Sequence, residues 1–241
     1  MKADPRYRME SSPDAVVLQA GRRRSHQPAN TRMDRRADES RYSFADVMQR
    51  ALDMSDVRFV LRRATPTDAA SLASFAARTF LETFGSDNDP QHMAAHLATS
   101  YGPAQQQVEL ADPTIVTLVL EVDAALAGYA MVRRHEPPPC VTNRTSVELW
   151  RFYVDQPWHG SGAAWRLMTG VHEVAADLGG TALWLSVWER NARARAFYKK
   201  CGFEDVGTGD FWVGGDRQTD RILVVSVATG QGARRISNSC S

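Results

Sequence analysis

The stretch "VDQPWHGSGAAWRLM", residues 154–168, does most to limit what this chain can become. A strand-like run that includes Leu149, Phe152, Tyr153 and Val154 stops at Pro157, and Gly160 and Gly162 follow with one residue between them. A helical stripe then begins at once, running through Ala164, Leu167, Met168, Val171, Val174, Ala175 and Leu178. A strand, a short glycine turn and an amphipathic helix form the unit from which α/β sheets are built. The turn also poses a chemical question. Glycines let a backbone come close to an anion, and the open N–H groups and positive dipole end of the helix behind them stabilise phosphate.

Three readings of such a turn compete. A P-loop needs Lys and then Ser or Thr after its last glycine, where this chain has Ala163 and Ala164. A dinucleotide fingerprint needs a small residue at Trp165 and an acidic residue about twenty positions further on, and the fit is poor. What remains from the residues alone is either a general anion cradle or a strand-to-helix turn with no ligand.

The flanking sequence supplies the rest of a domain. From Met54 onward the pattern predicts a short strand at 58–62, a helix capped by Thr67 or Asp68, and two short helices within 91–111. Strands at 115–122 and 125–133 are joined by a tight Asp123-Ala124 turn. A strand at 146–154 precedes the glycine turn and a helix over about 161–178. The strand "TALWLSVW", a helix with Asn191 as N-cap and Gly202 as terminator, and two strands flanking "GGDRQ" complete the pattern. Strands alternating with helices, but opening and closing on hairpins, argue an α/β sheet of mixed direction.

Residues 1–53 differ in character. They carry eleven Lys and Arg against eight Asp and Glu, whereas the remainder carries 18 against 20. With almost no apolar periodicity, this Arg-rich front reads as a disordered extension rather than a nucleic-acid-binding arm. The chain has only three lysines, which suggests GC-rich coding and Met54 as an alternative start. The domain is expected over 54–229, with a flexible tail over 230–241. Apolar runs such as "TIVTLVLEV" are far shorter than the roughly 18 residues of a membrane span, and the front lacks a hydrophobic signal core. The expectation is a cytoplasmic protein without membrane or nucleic-acid partners, monomeric or homodimeric. Cys140, Cys201 and Cys240 show none of the close spacings of zinc or thioredoxin motifs, so no metal site is expected.

The glycine turn resembles the acetyl-CoA-binding motif of the Gcn5-related N-acetyltransferases (GNAT), Arg/Gln-x-x-Gly-x-Gly/Ala, which falls on His159, Gly162 and Ala164, with Gly160 at a further glycine common in that family. His159 departs from the usual Arg or Gln. Four stretches, "TFLETFGSDNDPQHM", "ELWRFYV", "LWLSVWERNARARAFYKKCGF" and "FWVGGDRQTDRILV", are similar to the PaiA-type spermidine/spermine acetyltransferase branch, although Gly209 stands where that branch suggests a histidine. The resemblance implies a mixed, mostly antiparallel central sheet with helices on both faces, in the order strand, two helices, three strands, helix, strand, helix, two strands. It implies acetyl-CoA as acyl donor and a small amine, a polyamine first, as acceptor. A peptide N-terminus, another small amine, or a non-catalytic acyl-CoA-binding module is the alternative.

The resemblance also assigns roles. The backbone of His159, Gly160, Ser161, Gly162, Ala163 and Ala164 would hold the pyrophosphate, and the backbones of Phe152, Tyr153 and Val154 would pair with pantetheine like an added strand. Asn191 would both cap its helix and touch the pantetheine arm. Tyr198 would protonate the leaving thiolate; from the residues alone it reads first as a core tyrosine beside Phe197. Glu148 and Glu189 are candidates for the base that takes the ammonium proton, or else ion-pair partners, Glu148 with Arg151 for example. Trp150, Trp184, Trp188 and Trp212 either line an amine channel or fill the core. Asp87 and Asp89 are further carboxylates for an acceptor groove.

Overall fold

The computed structural model describes residues 57–213 and 216–227. The Arg-rich front and the tail after Thr229 lie outside the described residues. Seven strands form one sheet: β1 (Val60–Arg63), β2 (Ile115–Val122), β3 (Ala125–Arg133), β4 (Ser146–Val154), β5 (Ala182–Trp188), β6 (Glu204–Val213) and β7 (Asp216–Ser226). Their spatial order is β1-β2-β3-β4-β5-β7-β6. Every neighbouring pair is antiparallel except β4 and β5. Helices α1 (Ala69–Phe84), α2 (Pro90–Ser100) and α3 (Pro103–Ala111) connect β1 to β2. Helix α4 (Ala163–Asp177) carries the parallel crossover from β4 to β5, and α5 (Ala192–Lys200) leads from β5 to β6. The mixed, mostly antiparallel sheet is the expected one, and three helices follow β1, as the residue pattern predicts, where the resemblance implies two.

Alternation along the strands divides the core into two layers. Leu149, Phe152, Leu183, Leu185, Val187 and Leu223 face α4 and α5 and pack with Leu167, Val171 and Tyr198. Tyr129, Met131, Trp150 and Tyr153 face the other way and pack with Leu72, Phe75, Phe80 and Phe84 of α1. The Asp123-Ala124 turn joins β2 to β3 with φ of 50° and 61°, the positive pair that a two-residue hairpin matched to the twist of its strands requires. Gly170 lets α4 sit close on the sheet, because a Cβ there would lie 2.5 Å from a methyl of Leu61.

Local boundaries shift in three places. β1 starts at Val60 rather than at Arg58, and α4 starts at Ala163 rather than at 161. A 3-10 turn over Pro66–Asp68 precedes α1. Asp68 caps α1 by position only, since its carboxylate accepts from the Thr65 N–H at 2.7 Å and from Arg62 at 2.8 Å.

Candidate active site

The sheet opens at one place. The parallel ladder of β4 and β5 comprises Ser146–Ala182, Val147–Leu183 and Glu148–Trp184; beyond it the strands run on, to Val154 and Trp188, without pairing to each other. A bulge in β4 explains the divergence. Met131 lies opposite Arg151 and Val132 opposite Leu149, so Trp150 is the extra residue, and a bulge bends and twists the strand that carries it. The bulge is held from both sides. The Trp150 ring lies between the guanidinium groups of Arg133 and Arg151, 4.0 and 4.1 Å from the ring centre. Arg151, fully buried, donates to both carboxylate oxygens of Glu109 on α3, at 2.5 and 3.2 Å. Gln105 and Gln106 donate to the same carboxylate. Phe152, Tyr153 and Val154 therefore run along an open wedge, the arrangement an added pantetheine strand would need.

The glycine turn stands at the wide end of this wedge. Gly160 and Gly162 have φ of 81° and 90°, and a Cβ on either would meet nothing within 4 Å. The space beside both α-carbons is open. The side chains of the turn are folded inward instead: the Ser161 hydroxyl donates to the Trp158 carbonyl at 2.7 Å and accepts from the Ala163 N–H at 3.3 Å. Among the described residues no protein acceptor is paired with the amides of Gly160, Gly162 and Ala164, so the first turn of α4 presents a row of donors with its positive dipole end. The residues fit a pyrophosphate bound by backbone alone.

The His159 side chain has a partner within the protein. Its Nε2 donates to the Val154 carbonyl at 2.8 Å, so the ring ties the turn to the end of β4 rather than reaching across the cradle. Burial lowers its pKa, and the nearby charge of Arg193 on α5 adds to the lowering, which leaves the imidazole neutral at pH 7. Arg193 is the cation that this corner gains from a distant part of the chain. Arg78 secures the same corner from α1 with two 2.8 Å bonds to Asp155.

On the far side of the wedge, Asn191 accepts from the Ala194 N–H at 3.0 Å, as its cap role requires, which leaves its amide nitrogen for a second partner. Tyr198 has 0% of its surface exposed. Its ring packs edge-on against Phe152, Phe197 and Phe203 at 5.5 to 6.3 Å. Its hydroxyl has no hydrogen-bond partner among the described residues. Burial pushes the phenol pKa well above its usual value, so the group stays protonated. Tyr198 is thus a core residue whose phenol is protonated and unpartnered among the described residues.

Several other candidates are engaged within the protein. Glu148 is held by Arg133, Nε to Oε2 at 2.5 Å, directly across the β3–β4 ladder, because Arg151 turns to α3 instead. We assign it to joining strands rather than to proton transfer. Asp89 caps α2 through the N–H groups of Gln91 and His92, and Asp87 is exposed beside Ser86. Trp150 and Trp184, at 5% and 0% exposure, are core. Half-buried Trp188 packs on Phe84 at 5.9 Å, and the side chain of Trp212 lies outside the described residues. Exposed Glu189 follows β5 at the mouth of the wedge. Two residues that strand patterning gives no reason to single out, Ser186 and Asp220, meet beneath it at 2.6 Å.

A family model for the acetyltransferase (GNAT) family matches residues 77–203, a span that runs from α1 through the wedge and the glycine turn to the end of α5. The chain belongs to the GNAT family. It is similar to an uncharacterized N-acetyltransferase of Mycobacterium tuberculosis, 36% identical over 158 residues that cover 66% of this chain and 97% of the relative. Among solved structures it is similar to the PaiA N-acetyltransferase of Thermoplasma acidophilum in complex with coenzyme A, with TM-score 0.58, 17% identity, and coverage of 70% of this chain and 99% of that one. The ribosomal-protein-S18-alanine N-acetyltransferase of Escherichia coli has TM-score 0.53 and 14% identity, covering 73% and 99%. This GNAT protein is an N-acetyltransferase that takes its acetyl group from acetyl-CoA. Among its described residues no helix is long and apolar enough to cross a membrane.

Proposed function

We propose that the enzyme acetylates a polyamine such as spermidine or spermine, by direct attack of the amine on the thioester in a ternary complex. The observation that carries this reading is the chemistry on the open side of the wedge. Glu189 stands at the mouth and the carboxylate of Asp220 is buried behind it. A protonated alkyl-amine chain is attracted by both carboxylates. The four stretches similar to the PaiA branch support the same acceptor.

In this reading acetyl-CoA supplies the activated acetyl group. The turn 159–164 binds its pyrophosphate through backbone N–H groups, the β4 edge at Phe152 to Val154 and the Asn191 amide hold the pantetheine arm, and Tyr198 gives its proton to the departing sulfur. Direct attack agrees with the thiols among the described residues. Burial pushes Cys201 up to about 12 and raises Cys140, so neither supplies a ready thiolate for an acyl-enzyme.

The test is thiol release from acetyl-CoA across a panel of spermidine, spermine, a monoamine, a lysine peptide and an alanine-terminated peptide. Polyamines should show the highest kcat/KM, and theirs should fall most steeply with ionic strength, because attraction of a polycation is screened by salt. Inert polyamines beside a reactive peptide would overturn the acceptor and leave acetyl transfer intact.

A further inference from the structure

We propose that Ser186 and Asp220 form the proton-accepting relay of the transfer, with the Ser186 hydroxyl receiving the acceptor's ammonium and Asp220 taking the proton behind it. The inference rests on acetyl transfer to an amine and is independent of which amine is used.

Position comes first. Leu183, Leu185 and Val187 of β5 face α4 and α5, so Trp184, Ser186 and Trp188 face the other side, where Trp188 meets α1. Ser186 is two residues, roughly 7 Å, past Trp184, where β4 and β5 part company. It therefore belongs to the stretch of β5 that lines the wedge, and it is half-buried. Asp220 lies on β7, paired with Trp188 on one side and Gly209 on the other. It is 1% exposed, accepts from the Ser186 hydroxyl through Oδ2 at 2.6 Å, and has no partner for Oδ1 among the described residues. A structural role does not account for this choice. Burying a carboxylate with half its acceptor capacity unused is costly, and an Asn or Thr would join the two strands at lower cost.

The surroundings favour a group that exchanges protons near neutrality. Burial raises the Asp220 pKa to about 6, the Ser186 bond opposes the rise, and the charge of Glu189 adds to it. The other charged groups around the site are engaged elsewhere. On β4, Glu148 is bound to Arg133, and on β7 Arg221 is bound to Asp205. Arg190 stacks over Trp188 and His135 lies against Trp184. From β6 the residue opposite is Gly209, which brings no side chain, and the next, Asp210, is paired with Arg217.

The step balances as follows. An N–H proton of the ammonium passes to the Ser186 oxygen while the Ser186 proton passes to Asp220, so ammonium and carboxylate become amine and carboxylic acid. The freed lone pair forms the C–N bond as the C–S bond breaks. The sulfur takes the Tyr198 proton, and the second proton of the nitrogen restores the phenol. Asp220 later releases its proton to solvent.

The test is a pH profile of kcat/KM with spermidine and acetyl-CoA, or with whichever panel amine reacts if spermidine is inert. Wild type should rise through about pH 6 and then level off. Asp220→Asn should lose roughly ten- to a thousandfold at pH 7 and rise about tenfold per pH unit toward the pKa of the free amine, because only neutral amine then reacts. Ser186→Ala should behave likewise and Ser186→Thr should recover, with KM for acetyl-CoA unchanged in all three. Without any turnover, an infrared difference spectrum should show a protonated carboxyl that titrates near pH 6 and is absent from Asp220→Asn. The relay is wrong if Asp220→Asn keeps the wild-type plateau, or if no such carboxyl titrates. Failure of the polyamine assignment would instead appear as inert spermidine beside an unchanged profile on another amine.

Discussion

Removing the Tyr198 hydroxyl should make the free enzyme more stable and slower. The ring is fully buried and touches Phe152, Phe197 and Phe203, all contacts that Tyr198→Phe preserves. The oxygen meets no hydrogen-bond partner among the described residues, so in the free enzyme it contributes only a desolvation cost. Burying an unsatisfied hydroxyl costs about 1–3 kcal/mol, part of which a small adjustment of the surroundings recovers. A gain near 1 kcal/mol is expected, which for a domain of this size raises Tm by about 2–4 °C. Because burial keeps the phenol protonated, the same change deletes the proton for the departing sulfur and should lower kcat roughly ten- to a thousandfold with little effect on acetyl-CoA affinity. Calorimetry of the free enzyme, isothermal titration with coenzyme A and steady-state turnover measure the three quantities separately. A lower Tm would mean that the hydroxyl has a partner in the protein. An unchanged kcat, under conditions where chemistry limits turnover, would remove Tyr198 from proton transfer altogether.

Gly162→Val should abolish coenzyme A binding in calorimetry, whereas Gly179→Val at the other end of α4, with φ of 76° and equally open space, imposes similar backbone strain and should leave the affinity unchanged. Equal loss in both variants would assign the effect to strain rather than to the cradle. Glu109→Gln strands the buried charge of Arg151 and should cost about 3–5 kcal/mol in urea unfolding; a cost below about 1 kcal/mol would show that Arg151 finds another partner and that this pair does not brace the bulge. A chain beginning at Met54 is proposed to melt and turn over like the full chain, and a Tm lower by many degrees would show that residues 1–53 pack on the domain.

What the sequence reveals follows from how local each feature is. The α4 stripe, the Asp123-Ala124 hairpin and the Asn191 cap were legible because each depends on residues a few positions apart. The glycine turn was legible as a turn for the same reason, although where its side chains go was not. His159 turns to Val154, a contact fixed by the exit angle of β4 that no motif states. The ion pairs were misjudged by the same token: Arg151 lies beside Glu148 in sequence, yet the bulge at Trp150 turns Arg151 toward Glu109, 42 positions away on α3, and leaves Glu148 to Arg133. Asp220 illustrates the limit best. It sits in a run of alternating strand residues where an aspartate reads as solvent-facing, and only the pairing of β5 with β7 encloses it.

Burial acts in the same direction on the two groups proposed to handle protons and would equip them for opposite tasks. Loss of water disfavours the charged form of any acid, so it raises both the Tyr198 phenol and the Asp220 carboxyl. For a phenol, already protonated at neutral pH, the rise keeps its proton until a negative sulfur develops beside it. For a carboxylate, ordinarily too weak a base to draw a proton from an ammonium, a rise to about 6 narrows the gap to the amine by about two of the six or so units that separate them. Neither group could serve if the two shared a pocket, since a phenol and a carboxylate in contact would hydrogen-bond to each other and each would be spent. The sheet prevents this. Tyr198 packs on the face covered by α4 and α5, and Ser186 and Asp220 lie on the face that looks toward α1, so the wedge between β4 and β5 is an opening through which one reacting carbon could be approached from both sides.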